Sequence, residues 1–205
     1  MRKRTDGRYH MSIHLITFVE DVYMSASTPF DDGATTNTGE ERENLTWQEF
    51  GDAARELAQQ IVNSGWKPDL IVAIARGGLI PAGAIAYAMG VKAIGTMNLE
   101  FYTGLGETLD EPQVLPPLMD VSALDGKKVL VVDDVADSGK TLKKVMELID
   151  EDGLSLDGKT HAKVDARSVV IYKKPVSIIE PDYIWRKTAL WINFPWSVLP
   201  VVEAE

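Results

Sequence analysis

The chain has 205 residues, 45% of them hydrophobic and 25% charged, which is ample material for one ordinary α/β core and a single catalytic domain. Its formal charge of −10 argues against a nonspecific nucleic-acid binder, which attracts phosphates through clustered Lys and Arg, so an anionic ligand must be held locally by amides, a few cations and metal. The absence of cysteine excludes disulfides and thiolate metal sites and is compatible with a cytoplasmic protein.

Arg2, Lys3, Arg4 and Arg8 precede an apolar patch at residues 13–19. The patch is short, contains His14 and runs into Glu20 and Asp21, so neither export nor a membrane span is expected. Residues 25–43 are rich in Ser, Thr, Asp, Gly and Glu and read as a disordered arm. Residues 1–44 are therefore set apart as an arm and residues 45–205 as the domain. Met24 stands just before the arm as an alternative start, which would make residues 1–23 non-native; the intact mass of the protein from its natural host tests this.

From Thr46 to Asn63, Phe50, Ala54, Leu57, Ala58, Ile61 and Val62 fall along one helical stripe, with Thr46 as N-cap and Gln48 and Glu49 in the first turn. The run LIVAIA at Leu70–Ala75 is too short for a typical helix and reads as a buried parallel strand. ARGG then turns sharply into a helix with Pro81 in its first turn and Gly90 at its end. Gly77 and Gly78 let backbone amides approach a ligand closely, and Arg76 adds charge; a tight strand-to-helix turn with an exposed arginine is the plainer reading. Residues 91–98 are expected to form another strand. Residues 99–126, rich in Pro, Gly and acids, are too long for an ordinary connector.

Residues 129–142 read VLVVDDVADSGKTL: an apolar strand ending in Asp133 and Asp134, a small loop carrying Asp137, and a helix opening behind Gly139. Unpaired amides at the helix start suit a phosphate, and the acids suit sugar hydroxyls. The SGKT ending imitates a nucleotide-triphosphate P-loop, but that loop needs glycine where Asp134 stands. Strand-end acids that hold metal, and a purely structural junction, remain as other readings. A further strand at residues 166–172 ends in Lys173, Lys174 and Pro175, where a lysine can donate to an oxygen of a base or simply face solvent. Tyr183, Trp185, Trp191, Phe194 and Trp196 then form an aromatic group, more often a packing cluster than a ligand box.

The DDVADSGKT segment closely resembles the phosphoribosyl-diphosphate signature of type I phosphoribosyltransferases, and ARGG resembles their pyrophosphate loop. Strand-Lys-Pro, then PDY, then W-I-x-x-P-W is similar to the C-terminal half of bacterial xanthine-guanine and related 6-oxopurine members. The resemblance implies an α/β fold, with a Rossmann-like parallel sheet flanked by helices, a mobile flap at 99–126 and a small C-terminal hood at about 175–201. It implies transfer of ribose 5-phosphate from phosphoribosyl diphosphate to a purine base, Mg²⁺ at the diphosphate, a homodimer or homotetramer, and neither nucleic acid nor membrane as partner. On that match Arg76, Gly77 and Gly78 meet pyrophosphate. Asp133 and Asp134 orient the ribose, directly or through metal and water. Ala136, Ser138, Gly139, Lys140 and Thr141 hold the 5′-phosphate, and Asp137 is the acid-base. Lys174 donates to the purine 6-oxygen, Trp191 stacks on the ring, and the Ile192 backbone meets the opposite edge. Many purine members carry a Ser-Tyr pair in the flap, and Tyr102-Thr103 is the nearest match. Close relatives often place acids around the hood, where this chain has Asn193 and Ser197, so guanine, xanthine and hypoxanthine stay unresolved. The same fold also serves a sensor of phosphoribosyl diphosphate or nucleotide, or a transferase for another base.

Overall fold

The computed structural model describes residues 41–104, 107–115, 124–155 and 161–204. In chain order the elements are β1 (Arg42–Asn44), α1 (Trp47–Asn63), β2 (Leu70–Ala75), α2 (Leu79–Met89), β3 (Ile94–Gly104), β4 (Glu107–Leu115) and β5 (Lys128–Ala136). There follow α3 (Lys140–Glu151), β6 (Leu154–Ser155), β7 (His161–Ala162), β8 (Asp165–Lys173), β9 (Tyr183–Lys187) and β10 (Trp191–Asn193).

Thr46 starts α1. Its hydroxyl accepts from the Glu49 amide at 3.2 Å, and the Glu49 carboxylate accepts from the Thr46 amide at 3.1 Å, so two donors at the helix start are satisfied reciprocally. Phe50, Ala54, Leu57, Ala58 and Ile61 are buried as the stripe predicts. Val62 is not: it is 52% exposed, because one step past Ile61 turns a side chain by about 100° off the buried face, and Ala53 is buried instead. α2 ends as expected on Gly90, whose φ of 66° closes the helix.

The main sheet runs β4-β3-β2-β5-β8-β9, parallel except for the antiparallel β3–β4 edge. Its inner strands are apolar on both faces. Ile71, Ala73, Leu130 and Val132 face α1 and α2, while Leu70, Val72, Ile74, Val129 and Val131 pack with Leu142, Val145 and Ile149 of α3. This two-sided burial is why LIVAIA and VLVV read as continuous hydrophobic runs rather than alternating ones. A third cluster, with Leu45, Phe50, Tyr172, Ile192 and Phe194, lies under the C-terminal hood.

Three expectations need correcting. Residues 42–44, placed at the end of the arm by their polar composition, form β1 and pair in parallel with β10, where the Asn193 side chain also donates to that of Asn44 at 2.8 Å. The third strand starts later and runs further than 91–98, because Val91 still bonds back to the Ala86 carbonyl at 3.0 Å. Part of the predicted flap is β4, an edge strand whose acids and Pro112 are tolerated because only one side is paired. Its register shifts between Glu100 and Tyr102, the region that accommodates Pro112. The expected arm over residues 1–40 lies outside the described residues. Among the described residues no helix is long and apolar enough to cross a membrane.

Candidate active site

β2, β5 and β8 are neighbours in the sheet, and the loops leaving their carboxyl ends hold most of the residues singled out in the sequence. β5 runs through both aspartates and stops at Ala136. Alternation continues the row of Val129 and Val131 into Asp133, and that of Leu130 and Val132 into Asp134. The Asp134 amide donates to Asp133 Oδ1 at 2.9 Å. Burial raises the Asp134 pKa to about 6 and pushes Asp133 well above the carboxylate range, where the adjacent Asp134 charge adds to the effect.

Behind Asp137 and Ser138, which are exposed, Gly139 takes φ 76° and opens α3 with no side-chain cap. A residue with a Cβ is strained at that φ. The Lys140 amide makes a long 3.4 Å bond to Ser138 Oγ, and the rest of the first turn leaves main-chain donors for an anion, beside the exposed Lys140 side chain and half-buried Thr141. Gly77 belongs to the facing loop. A Cβ there would run into the Asp134 carboxyl group, and one on Gly78 would lie 2.7 Å from the Ile74 carbonyl oxygen and 2.9 Å from the Ile74 nitrogen. The RGG turn therefore sits directly against the carboxylate of the central strand. The Ala75–Arg76 peptide within this turn is cis.

At the carboxyl end of β8 the Lys-Lys pair is no solvated turn: Lys173 and Lys174 are each only 9% exposed. The Lys174 amide donates to the Ala136 carbonyl at 3.0 Å, bringing Lys174 beside Asp137. Its ammonium reaches across to the Leu190 carbonyl at 2.6 Å and the Ala189 carbonyl at 3.5 Å, just before Trp191. The aromatic group splits in two. Phe194 stacks on Trp196 at 4.9 Å, and Tyr172 meets both Trp185 and Phe194 edge-on, a packing cluster. Trp191 stands apart at 65% exposed. The Asn193 carbonyl accepts from Leu45 of the β1 side at 3.1 Å, so alternation turns the Ile192 amide and carbonyl to the opposite edge.

The phosphoribosyl transferase domain family matches residues 42–201. The chain belongs to this family. It is similar to the xanthine-guanine phosphoribosyltransferase of Gluconobacter oxydans, 33% identical over 77% of this chain and 85% of that protein. The enzyme of the same name from Idiomarina loihiensis is 31% identical over 75% and 86%. Among solved structures, a purine phosphoribosyltransferase from Pyrococcus horikoshii shares 35% identity over 80% of this chain and 99% of that one, with a TM-score of 0.62.

Within this family member the sheet edge gathers Arg76, Gly77, Gly78, Asp133, Asp134 and residues 136–141, and β8 adds Lys174 to them. Tyr102 lies on β3 opposite Thr108. Among the described residues no cluster of three or more His, Asp or Glu could hold a metal by itself. Sequence reasoning missed Glu180, which binds Lys173 at 2.9 Å and Lys187 at 2.8 Å, and Glu43, which accepts from the Tyr172 hydroxyl at 3.2 Å. Neither residue falls in a motif; each meets its partners only through the register of β8 with β9 and of β1 with β10.

Proposed function

We propose that the chain is a purine salvage phosphoribosyltransferase, joining a 6-oxopurine base to phosphoribosyl diphosphate to give a nucleoside 5′-monophosphate and pyrophosphate. The observation that carries this reading is the Lys174–Ala136 hydrogen bond, which sets the main chain of a nearly buried lysine beside the Asp137 loop while its ammonium donates to the Leu190 carbonyl, one residue before an exposed indole. An ammonium donates and never accepts, so it favours a base carbonyl over an amino group, and the indole supplies stacking area. The names of the similar proteins, xanthine-guanine and purine phosphoribosyltransferase, support the same base class.

In the reaction the bond from the anomeric carbon to a pyrophosphate oxygen breaks, and a bond from a ring nitrogen of the base to that carbon forms. Positive charge grows on the sugar while the leaving group takes the electron pair, so amides of the RGG turn suit the departing anion. The main-chain donors behind Asp137 suit the 5′-phosphate, which fixes the far end of the sugar and keeps the carbon in line. Asp133 and Asp134 orient the ribose hydroxyls, and Asp137 takes the proton released by the base nitrogen. Two carboxyls held back from ionisation by burial fit a cation that brings most of its ligands with it. Mg²⁺ would be held by Asp133 and Asp134, directly or through water, together with substrate oxygens, and would supply neutralising charge for the diphosphate. Assembly as a homodimer or homotetramer is carried by the family resemblance and is read out by sedimentation.

Incubation with Mg²⁺, phosphoribosyl diphosphate and a panel of bases tests the proposal. Pyrophosphate release with guanine, xanthine or hypoxanthine is expected. Release with a pyrimidine alone would defeat the purine assignment, and binding without release from any base would favour a sensor.

A further inference from the structure

The loop from Lys174 to Ile179 lies on the back of the 5′-phosphate segment. Ile178 donates its amide to the Ser138 carbonyl at 3.0 Å, and a Cβ on Gly139 would come within 2.9 Å of Ile179 Cγ2 and 3.2 Å of the Ile178 nitrogen. A trans peptide points its C=O and N–H in opposite directions. Tying the Ser138 oxygen to Ile178 therefore aims the Gly139 N–H away from the loop, toward the anion side.

This strap is fastened at both ends. At its start Lys174 bonds to Ala136, and Ser177 donates to the Lys174 carbonyl at 3.1 Å. At its end Glu180 places one carboxylate oxygen 2.9 Å from the Lys173 ammonium and the other 2.8 Å from that of Lys187. Those lysines stand opposite each other at the carboxyl ends of β8 and β9. The hydrogen bonds from Lys187 and Lys173 hold the Glu180 carboxyl below the usual carboxylate range. Glu180 is itself exposed, yet its Lys173 partner is nearly buried, so losing the carboxylate leaves an ammonium in poor contact with water.

We propose that Glu180 is a positioning residue for the 5′-phosphate: by anchoring the strap to both lysines it keeps the Ser138 carbonyl turned outward and the Gly139 amide turned toward the phosphate. The proposal rests on the phosphoribosyl-diphosphate reading above and adds a role outside the recognised motifs. The geometry separates the two anion loops. The strap touches residues 138 and 139, whereas the RGG turn is braced by Asp134 and the main chain of β2 and β5.

Calorimetric titration with Mg²⁺ present, using phosphoribosyl diphosphate and separately pyrophosphate, tests this on the full chain. Glu180→Gln is expected to weaken phosphoribosyl diphosphate about tenfold, the scale of a lost charge-assisted contact, with pyrophosphate affinity unchanged. Lys187→Gln, which removes one of the two donors, is expected to give a smaller loss of the same kind. Glu147→Gln, which breaks only the exposed Lys143–Glu147 pair, should change neither. Equal weakening of both anions by Glu180→Gln would mark general loosening and overturn the positioning role, as would unchanged binding of both. Failure of the wild-type chain to bind phosphoribosyl diphosphate at all would instead sink the functional reading beneath it.

Discussion

Asp137 and Gly77 carry the most exposed claims about single residues. Asp137 is solvent-facing, with no side-chain hydrogen bond or ion pair among the described residues, so nothing but substrate fixes its part in the reaction. Asp137→Asn keeps the shape and removes the base. Turnover measured under conditions where chemistry limits the rate is expected to fall about 10²-fold or more, with phosphoribosyl-diphosphate affinity nearly kept. Unchanged turnover would remove Asp137 from the mechanism. Gly77 is fixed differently, by the Asp134 carboxyl that occupies the space a Cβ would need. Gly77→Ala must push either the RGG turn or the carboxylate aside. The cost in stability is expected at about 1–3 kcal/mol, together with a clear rise in KM for phosphoribosyl diphosphate. Thermal unfolding and steady-state kinetics on one preparation separate the two effects.

Among the elements, α1 was the most legible because a cap and a stripe agree locally. Thr46→Ala removes the hydroxyl end of the reciprocal cap and is expected to cost about 0.5–2 kcal/mol by urea unfolding, with KM values unmoved. β2 and β5 were legible for a related reason, since burial on both faces writes itself into four to six consecutive apolar residues. β1 and β4 were not. Arg42, Glu43 and Asn44 pair with Trp191, Ile192 and Asn193, a partner far along the chain, and their polar side chains, though Asn44 and Arg42 bond Asn193, carry no local strand signal. β4 is an edge strand whose acids and proline are the composition of a loop. The site divides the same way. The aspartates and glycines of the two anion loops sit in contiguous motifs, where local geometry alone dictates the residue types. The roles of Lys173 and Glu180 depend on which strand lies beside which, and only the sheet order supplies that. Trp191 is an intermediate case: the sequence grouped it with Phe194 and Trp196, and the packing of those two rings against each other sets it apart.

At the scale of the whole molecule, adjacent β2, β5 and β8 line up the RGG turn, the Asp133–Asp134 strand end and Lys174, the three parts of the proposed site, along one edge of an acidic protein. The fold thereby keeps Asp133 and Asp134 partly out of water, and their titration couples the edge to both stability and binding. Unfolded, each would titrate near 3.8; folded, Asp134 is raised to about 6 and Asp133 is raised as well. Between those values the native chain holds protons that the unfolded chain has released. The contribution of Asp134 to stability is therefore full below about pH 3.8 and is lost as pH rises through 6, and that of Asp133 is lost in the same direction. Ligand acts in the opposite sense. In the proposed complex, ribose hydroxyls donating to the carboxylates and Mg²⁺ beside them would favour the ionised form, so binding would expel bound protons. Titration of phosphoribosyl diphosphate and Mg²⁺ near pH 6, in two buffers of different protonation enthalpy, is expected to show net proton release from the pair. Affinity should rise from pH 5 to 7, and Asp134→Asn should lower the release by the share that Asp134 contributes, leaving that of Asp133. Substrate phosphates titrate in the same range, so the decisive quantity is the difference between wild type and that variant. Identical release from both would show that Asp134 is already ionised in the free protein, and that burial at this sheet edge does not govern its charge.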